Sequence, residues 1–435
     1  MFEGFMTLPA IVKVGFSFLG ILLANRAGLH LGYSILLFSA LLSLWAGTGL
    51  QGFALQVADL ARPENYLLTI IVLLLLFFTE ALSKSGRMEK TITALKEWLR
   101  SRRLLLAGIP ALIGLLPMPG GALFSAPLVA SVDSENELDD DHKVAINYWF
   151  RHIWEYWWPL YPGVILAIRY SGLPVATYFL VQMPFTIVAV LGGYLFILKK
   201  VDKRHDEGSK NGPLDPAGAL SAMGPIALLV TLSVLGSALL PLAGVGGTPA
   251  SLLAMLFGLI AALLWIFTFD PRSFGLSLAL FKDRNTWLMM ILVVGIQLFS
   301  SVIKYPLDAV GATLVTLMRD ELIGAGIPLI TVIMVIPFIA GLVTGVAFGF
   351  VGASFPIVFA LLGNDPGTGA LAATTACAYS FGYMGMMVSP MHVCFVVTGE
   401  YFRCSIYGAY RYITGPVILI LLAALLISSF YYFVL

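Results

Sequence analysis

Charge is what this sequence has least of. Only 11% of its 435 residues are Asp, Glu, Lys or Arg, under half of the about 25% usual in soluble domains. That leaves too little solubilising surface for a water-soluble chain of this length. A net charge of +1, with no long basic block, excludes a nucleic-acid platform. Cysteine is scarce too. Cys377, Cys394 and Cys404 show no CxxC or His-spaced pattern, so neither a disulfide nor a metal site is expected from them, and cysteine in apolar sequence usually packs as a small hydrophobe. The alternating segments of a transmembrane β-barrel are missing as well, because runs such as Ile70–Phe78 and Val417–Ile427 are apolar on all sides.

What remains is hydrophobicity, at 59% of residues with a mean hydropathy of +0.93. A membrane helix needs about 20 consecutive apolar residues, and the supply fits about ten. The expected fold class is an all-α polytopic membrane protein. Spans fall near 7–25, 30–47, 65–83, 144–169, 175–198, 219–240, 249–268, 286–303, 368–397 and 412–434. The first lacks a basic leader and a cleavage site, so it is expected to be retained. Two further apolar regions, 104–131 and 326–361, are interrupted near their middle by small residues and are expected to be re-entrant helical hairpins.

Lys and Arg in the loops set the orientation. With both hairpins dipping in and returning on one side, nineteen of them lie inside and only Arg62, Arg169, Lys304 and Arg319 lie outside. The chain is therefore expected in the cytoplasmic (inner) membrane, with its N-terminus outside and the polar linker 199–216 cytoplasmic. That linker separates two like series. Residues 1–198 hold scaffold spans (1–83), a hairpin (104–131), a broken span (144–169) and a closing span. Residues 217–435 hold scaffold spans (219–303), an amphipathic stretch, a hairpin (326–361), a broken span (368–397) and a closing span. A polar stretch at Arg87–Arg103 matches the amphipathic stretch Lys304–Leu322. The two series start on opposite sides, which makes an inverted repeat, a common architecture of secondary transporters.

Irregular backbone at membrane depth is tolerated only where protein or a water-filled cavity covers it, so the breaks locate candidate sites. The first, around Pro117-Met118-Pro119-Gly120-Gly121, is expected to tip a hairpin whose second arm starts after Gly121 and offers free N–H groups to an anion; a kinked full span is the alternative. The second break is set by Pro159 and Pro162. Before it, Asn147, Arg151 and Glu155 follow at i, i+4 and i+8, one polar stripe on a helix. An ionisable residue in a span costs about 2.5–3.5 kcal/mol. Glu155 is thus a candidate for proton exchange or cation coordination, or for an ion pair with Arg151 one turn away. Trp154, Trp157, Trp158 and Tyr161 form an aromatic stripe, either a substrate wall with Trp158 in it or helix packing and an interfacial belt. His152 is expected to be satisfied by neighbouring backbone.

The third break, Gly341 to Pro356, places Thr344, Gly345 and Ser354 in the second hairpin. Hydroxyls beside exposed carbonyls suit a hard cation such as sodium; the GxxxGxxxG ladder of Gly341, Gly345 and Gly349 equally suits close helix packing. In the fourth, Ser389-Pro390 breaks the span, and Ser389 and His392 are expected to face the hairpin tips. A sodium ion held by Thr344, Ser354 and Ser389 is one expectation, and a Ser389 hydroxyl returned to its own helix is another.

Two inverted halves, each with a hairpin and a proline-broken span, resemble the ion transporter superfamily. That superfamily includes sodium–dicarboxylate/citrate carriers, gluconate carriers, arsenite and sodium/proton antiporters, and the large membrane subunit of tripartite periplasmic carriers. The stretches GLLPMPGGALFSAPLV, RHIWEYWWPLYPG and YMGMMVSPMH look most like an uncharacterised group of prokaryotic integral membrane proteins within it. The resemblance implies an elevator mechanism, with a fixed and usually dimeric scaffold and a moving domain of hairpins and broken spans. The Ser-Asn-Thr signature of the sodium-coupled dicarboxylate carriers is replaced here by Pro117–Gly121 and by Thr344-Gly345, which leaves sodium and proton coupling both open.

The expected function is secondary transport of a small organic anion, bound by Pro119, Gly120, Gly121, Trp158, Thr344, Gly345, Ser389 and His392. Glu155, Ser354 and Ser389 would couple it to a sodium or proton gradient, without a further cofactor and without catalysis. The alternatives are the large subunit of a binding-protein-dependent carrier and a membrane-embedded lipid-active enzyme using Glu155 and His152.

Overall fold

A computed structural model describes residues 8–86, 101–115, 121–133, 137–201, 216–309, 311–363 and 365–435. The described residues are helical throughout, with no β-strand. Pro117, Pro119 and Gly120, most of the 87–103 stretch and most of the 199–216 linker lie outside them. In chain order the first series gives α1 (Ala10–Arg26), α2 (Leu31–Trp45), α3 (Gly49–Ala58), α4 (Pro63–Lys84), α5 (Arg102–Ile113), α6 (Gly121–Val132), α7 (Asp140–Arg151), α8 (Pro162–Ser171) and α9 (Val175–Gly192). The second gives α10 (Pro216–Leu239), α11 (Gly247–Phe269), α12 (Pro271–Ser277), α13 (Arg284–Lys304), α14 (Leu314–Gly324), α15 (Leu329–Thr344), α16 (Ala347–Ala360), α17 (Thr368–Met387), α18 (Val393–Tyr401) and α19 (Ile406–Val434).

Among the described residues six helices are long and apolar enough to cross a bilayer, namely α4, α9, α10, α11, α13 and α19, or seven if the bent pair α14–α15 is one span. Their outward faces carry large apolar side chains such as Leu180, Ile187, Leu264, Leu422, Leu426 and Phe430, the surface expected against lipid tails rather than water. The chain is an all-α polytopic membrane protein. Of the ten expected spans, α1 and α2 have only 17 and 15 residues, and two are split, into α7–α8 and α17–α18.

Regions 104–131 and 326–361 form pairs of short helices that pack on each other, α5 on α6 and α15 on α16. The arms of the first have 12 residues each, about 18 Å at 1.5 Å per residue, against a hydrocarbon core of about 30 Å. Their outer ends meet: Arg102, at the start of α5, bonds Asp133, just past α6, and Lys143 Nζ lies 3.2 Å from the same carboxylate. The second hairpin turns at Gly345, with φ +63, a conformation that costs other L-residues about 1–2 kcal/mol. Its outer ends also converge, since Gly363 lies against the guanidinium of Arg319 on α14.

Packing between the two series is reciprocal. Helix α2 packs on α13 and α11 on α4; α8 packs on α16 and α18 on α6; α19 packs on α7 and α9 on α17. Glycine permits the closest approaches. A β-carbon at Gly32 would lie 2.8 Å from the Leu292 backbone nitrogen, and one at Gly341 would lie 2.0 Å from the Gly382 carbonyl. The Gly341 end of the glycine ladder therefore seats α15 on α17, while Gly345 makes the turn. Glu321 of α14 completes the interlock by accepting from Ala10 N (2.8 Å) and Ile11 N (2.7 Å), which satisfies free N–H groups at the start of α1.

Candidate functional site

The two span breaks meet in the interior. Helix α7 stops at Arg151, well before Pro159, and residues 152–157 form successive turns. This corrects the expected i, i+4, i+8 stripe. Asn147 and Arg151 share a helix face, but Glu155 lies beyond the helix end. The physical reason is the supply of hydroxyl donors to the carbonyls left over. Pro159 has no N–H to offer Glu155 O four residues back, and Tyr379 Oη donates to that carbonyl instead. Tyr383 donates to His152 O, Thr186 to Ile153 O at 2.7 Å, and Tyr178 to Tyr156 O at 3.3 Å. A buried carbonyl must find a donor, and α17 and α9 supply four.

The second break, 388–392, is satisfied from the opposite direction. Tyr148 of α7 donates to Met387 O at 3.0 Å, and Tyr410 of α19 to Val388 O at 2.9 Å. Each break is thus capped by the broken helix of the other series and by the closing helix of its own. Apolar sequence hides this arrangement. Its signal was the set of tyrosines in otherwise apolar spans, because a buried Tyr hydroxyl needs a partner.

The aromatic stripe fastens the first hairpin. Trp154 Nε1 donates to Ala111 O at 2.8 Å and Trp158 Nε1 to Leu115 O at 2.8 Å, while Tyr161 Oη donates to Gly114 O. Ala111 lies in the last turn of α5 and Gly114 and Leu115 just past its end, where helical N–H donors run out. Trp157 Nε1 goes to Thr186 Oγ1 at 3.0 Å. Helix packing is the role these contacts give the stripe, Trp158 included. Gly121 starts α6 directly under Arg151, where a β-carbon would lie 2.3 Å from Nη2.

Around Arg151 the ionisable groups collect. Arg151 Nη1 lies 2.9 Å from Cys394 Sγ, and His152 Nε2 lies 3.7 Å from Glu155 Oε1. The rings of His152 and His392 are 4.8 Å apart, centroid to centroid. Tyr148 Oη is 3.1 Å from His392 Nδ1, and His152 Nδ1 is 2.6 Å from Tyr148 O, the expected backbone satisfaction of His152. Glu155 is 6% exposed and His392 6%. Asn147, one turn before Arg151, donates to Ala122 O and to Thr398 Oγ1, while its Oδ1 has no hydrogen-bond partner among the described residues. Sequence reasoning missed Cys394, which stands some 240 residues from Arg151 and carries no local motif.

The second hairpin tip joins the same region. Ser389 Oγ donates to Leu342 O at 2.6 Å, and Gly345 sits against the backbone of Met391 and His392. Ser389 is therefore bonded across to the hairpin and not returned to its own helix. Thr344 Oγ1 bonds Ala340 O at 2.7 Å, and Ser354 Oγ bonds Phe350 O at 2.6 Å. Among the described residues no hydrogen bond joins Ser354 to Thr344 or Ser389, and all three hydroxyl protons go to carbonyls. Pro162 starts α8 and Pro390 lies in the second break; a β-carbon at Gly163, next to Pro162, would lie 3.2 Å from the first residues of α16.

Fold and site together define a polytopic membrane protein with a buried, charged centre built by two broken helices and two helical hairpins. Residues 16–432 match the profile of the family described as "Protein of unknown function (DUF401)", and the chain belongs to that family. No curated protein matches it.

Proposed function

We propose that this protein is a secondary active transporter that moves a small organic anion across the cytoplasmic membrane by elevator-type alternating access, as the resemblance to the ion transporter superfamily implies. In this reading residues 1–198 and 217–435 are inverted repeats joined by a cytoplasmic linker. The reciprocal packing of α2 on α13 and α11 on α4 supports this. Side placement agrees: Arg62, Arg169 and Lys304 line one cavity at the outer end, whereas Arg102, Asp133, Lys143, Asp139 and Arg411 cluster at the other.

The observation that carries the reading is the convergence of both breaks with the starts of α6 and α18 around Arg151, next to the point where the starts of α8 and α16 meet. Helix N-termini carry partial positive charge, and broken helices that aim them at one buried point are how secondary carriers bind anions. Glu155 beside this centre is the coupling group. A homodimer with a fixed scaffold follows from the same resemblance, and no catalytic role is assigned.

Thermal unfolding of the detergent-purified protein against a panel of organic anions, with and without sodium and at two pH values, tests the reading. A ligand at one hundred times its Kd stabilises by about 2.7 kcal/mol. One anion class should raise the transition, and Glu155→Gln should abolish coupled uptake while the protein still folds. Uptake at the wild-type rate in that variant would remove Glu155 from the mechanism. A transition moved by lipids and by no anion would overturn the carrier in favour of a lipid-active protein.

A further inference from the structure

We infer that His152, His392 and Cys394, with Glu155 as the fourth donor, form a binding site for a soft or borderline transition-metal ion of the zinc class. The inference does not rest on the transporter reading. One ligand atom from each of the first three residues lies within 4.8 Å of the other two, and Glu155 Oε1 is 3.7 Å from His152 Nε2. Bond lengths of about 2.0–2.3 Å around a tetrahedral zinc ion set donor atoms about 3.5 Å apart, so the His152, His392 and Cys394 atoms close on an ion by side-chain movements of about 1 Å, and Glu155 Oε1 already stands near that spacing from His152 Nε2.

The tautomers favour binding. The Tyr148 carbonyl can only accept, so the His152 Nδ1 beside it at 2.6 Å carries the proton. Tyr148 Oη stands between Met387 O at 3.0 Å and His392 Nδ1 at 3.1 Å, so His392 is tied to the backbone through Tyr148. That leaves His152 Nε2 with its lone pair, and His392 Nε2 likewise in the tautomer whose proton is on Nδ1. An imidazole whose second nitrogen is held by a carbonyl is the usual outer-shell arrangement of a metal-bound histidine.

Donor chemistry decides the ion class. Two imidazoles and a thiolate select zinc, cobalt or copper over sodium, magnesium or calcium, which take oxygen donors. The hydroxyls of Thr344, Ser354 and Ser389 are already committed to carbonyls, so the hard-cation set is the weaker of the two. On binding, the metal–sulfur bond replaces the Cys394 S–H bond and the proton leaves to solvent. Arg151 Nη1, 2.9 Å from Sγ, then donates to the bound thiolate.

The test uses cobalt(II) as the probe, added to the full-length protein purified in detergent and freed of metal with a chelator. Expected is saturable binding of one cobalt per chain, with a thiolate-to-cobalt charge-transfer band in the near ultraviolet that zinc displaces. The band should vanish in Cys394→Ser and persist in Cys404→Ser. If Cys394→Ser does not fold, His392→Gln decides, with a loss of at least tenfold in cobalt affinity expected. A folded wild-type protein that shows no band, or a band that survives Cys394→Ser or His392→Gln, overturns the site. None of these readouts requires transport, so failure here leaves the carrier reading to its own test.

Discussion

Replacing Tyr379 by Phe keeps the ring and removes one hydroxyl, whose proton satisfies Glu155 O. The ring retains its packing against Phe350 and Tyr383, with centroids 5.4 and 6.1 Å away, so lost area contributes almost nothing. What is lost is the one donor this carbonyl has among the described residues. Pro159 removes the helical N–H, and Tyr379 is fully buried at 0% exposure, so water does not replace it. An orphaned buried acceptor costs about 1–3 kcal/mol. Hydrogen bonds in membrane proteins average about 0.6 kcal/mol because unfolded segments find other partners, but a prolyl break removes the nearest of them. The expected loss is about 1–2 kcal/mol. Thermal unfolding in detergent should place Tyr379→Phe clearly below wild type, with Ser429→Ala, an exposed hydroxyl bonded to its own helix, unchanged as the control. Pro159→Ala returns a backbone N–H, so Tyr379→Phe should cost less in that background, a positive coupling in a double-mutant cycle. A Tyr379→Phe variant as stable as wild type would refute the hydroxyl-capping account of the break.

Three other outcomes follow from contacts already described. Gly345→Ala should cost about 1–2 kcal/mol for the left-handed backbone and more for its β-carbon, 2.9 Å from His392 N; unfolding and anion-induced shifts should both weaken. Glu321→Gln weakens two charge-assisted bonds to the start of α1 and should cost about 1 kcal/mol, read as faster proteolysis near residue 10. Burial alone would raise the Asp139 carboxyl, but the Tyr412 hydroxyl, the His142 N–H and Arg411 outweigh it and hold it below the usual carboxylate range. Its contribution is therefore present above the unfolded value and lost as pH falls through the folded one. Asp139→Ala should lower stability by about 1 kcal/mol at neutral pH, with the gap closing in acid.

The class of fold was legible because composition and run length speak directly to a bilayer. The hairpins were legible because glycine and proline interrupt runs that then resume. The site was legible in part. Glu155, His392, Gly121 and Ser389 were singled out through the rule that irregular backbone marks a functional place, whereas His152 was expected only to be satisfied by backbone. Cys394, Tyr148, Tyr379 and Tyr383 were not singled out, because their meaning depends on partners more than 200 residues away. Pro159 pointed to a break but not to its extent. The turns begin at His152 because Tyr383 and Thr186 hold carbonyls that no proline had freed, and a proline count alone says nothing about borrowed donors.

That borrowing has a consequence for synthesis. Tyr379 and Tyr383 follow the carbonyls they satisfy by 224 and 231 residues, an interval of about 11–46 s at 5–20 residues per second. Through that interval the first break already exists as a chain segment, with Glu155 O and His152 O bonded to something other than their final partners. Its mature shape is therefore set late, once synthesis has passed residue 383, and a ribosome paused between residues 160 and 379 would hold a half-built protein whose first break still lacks these two capping donors.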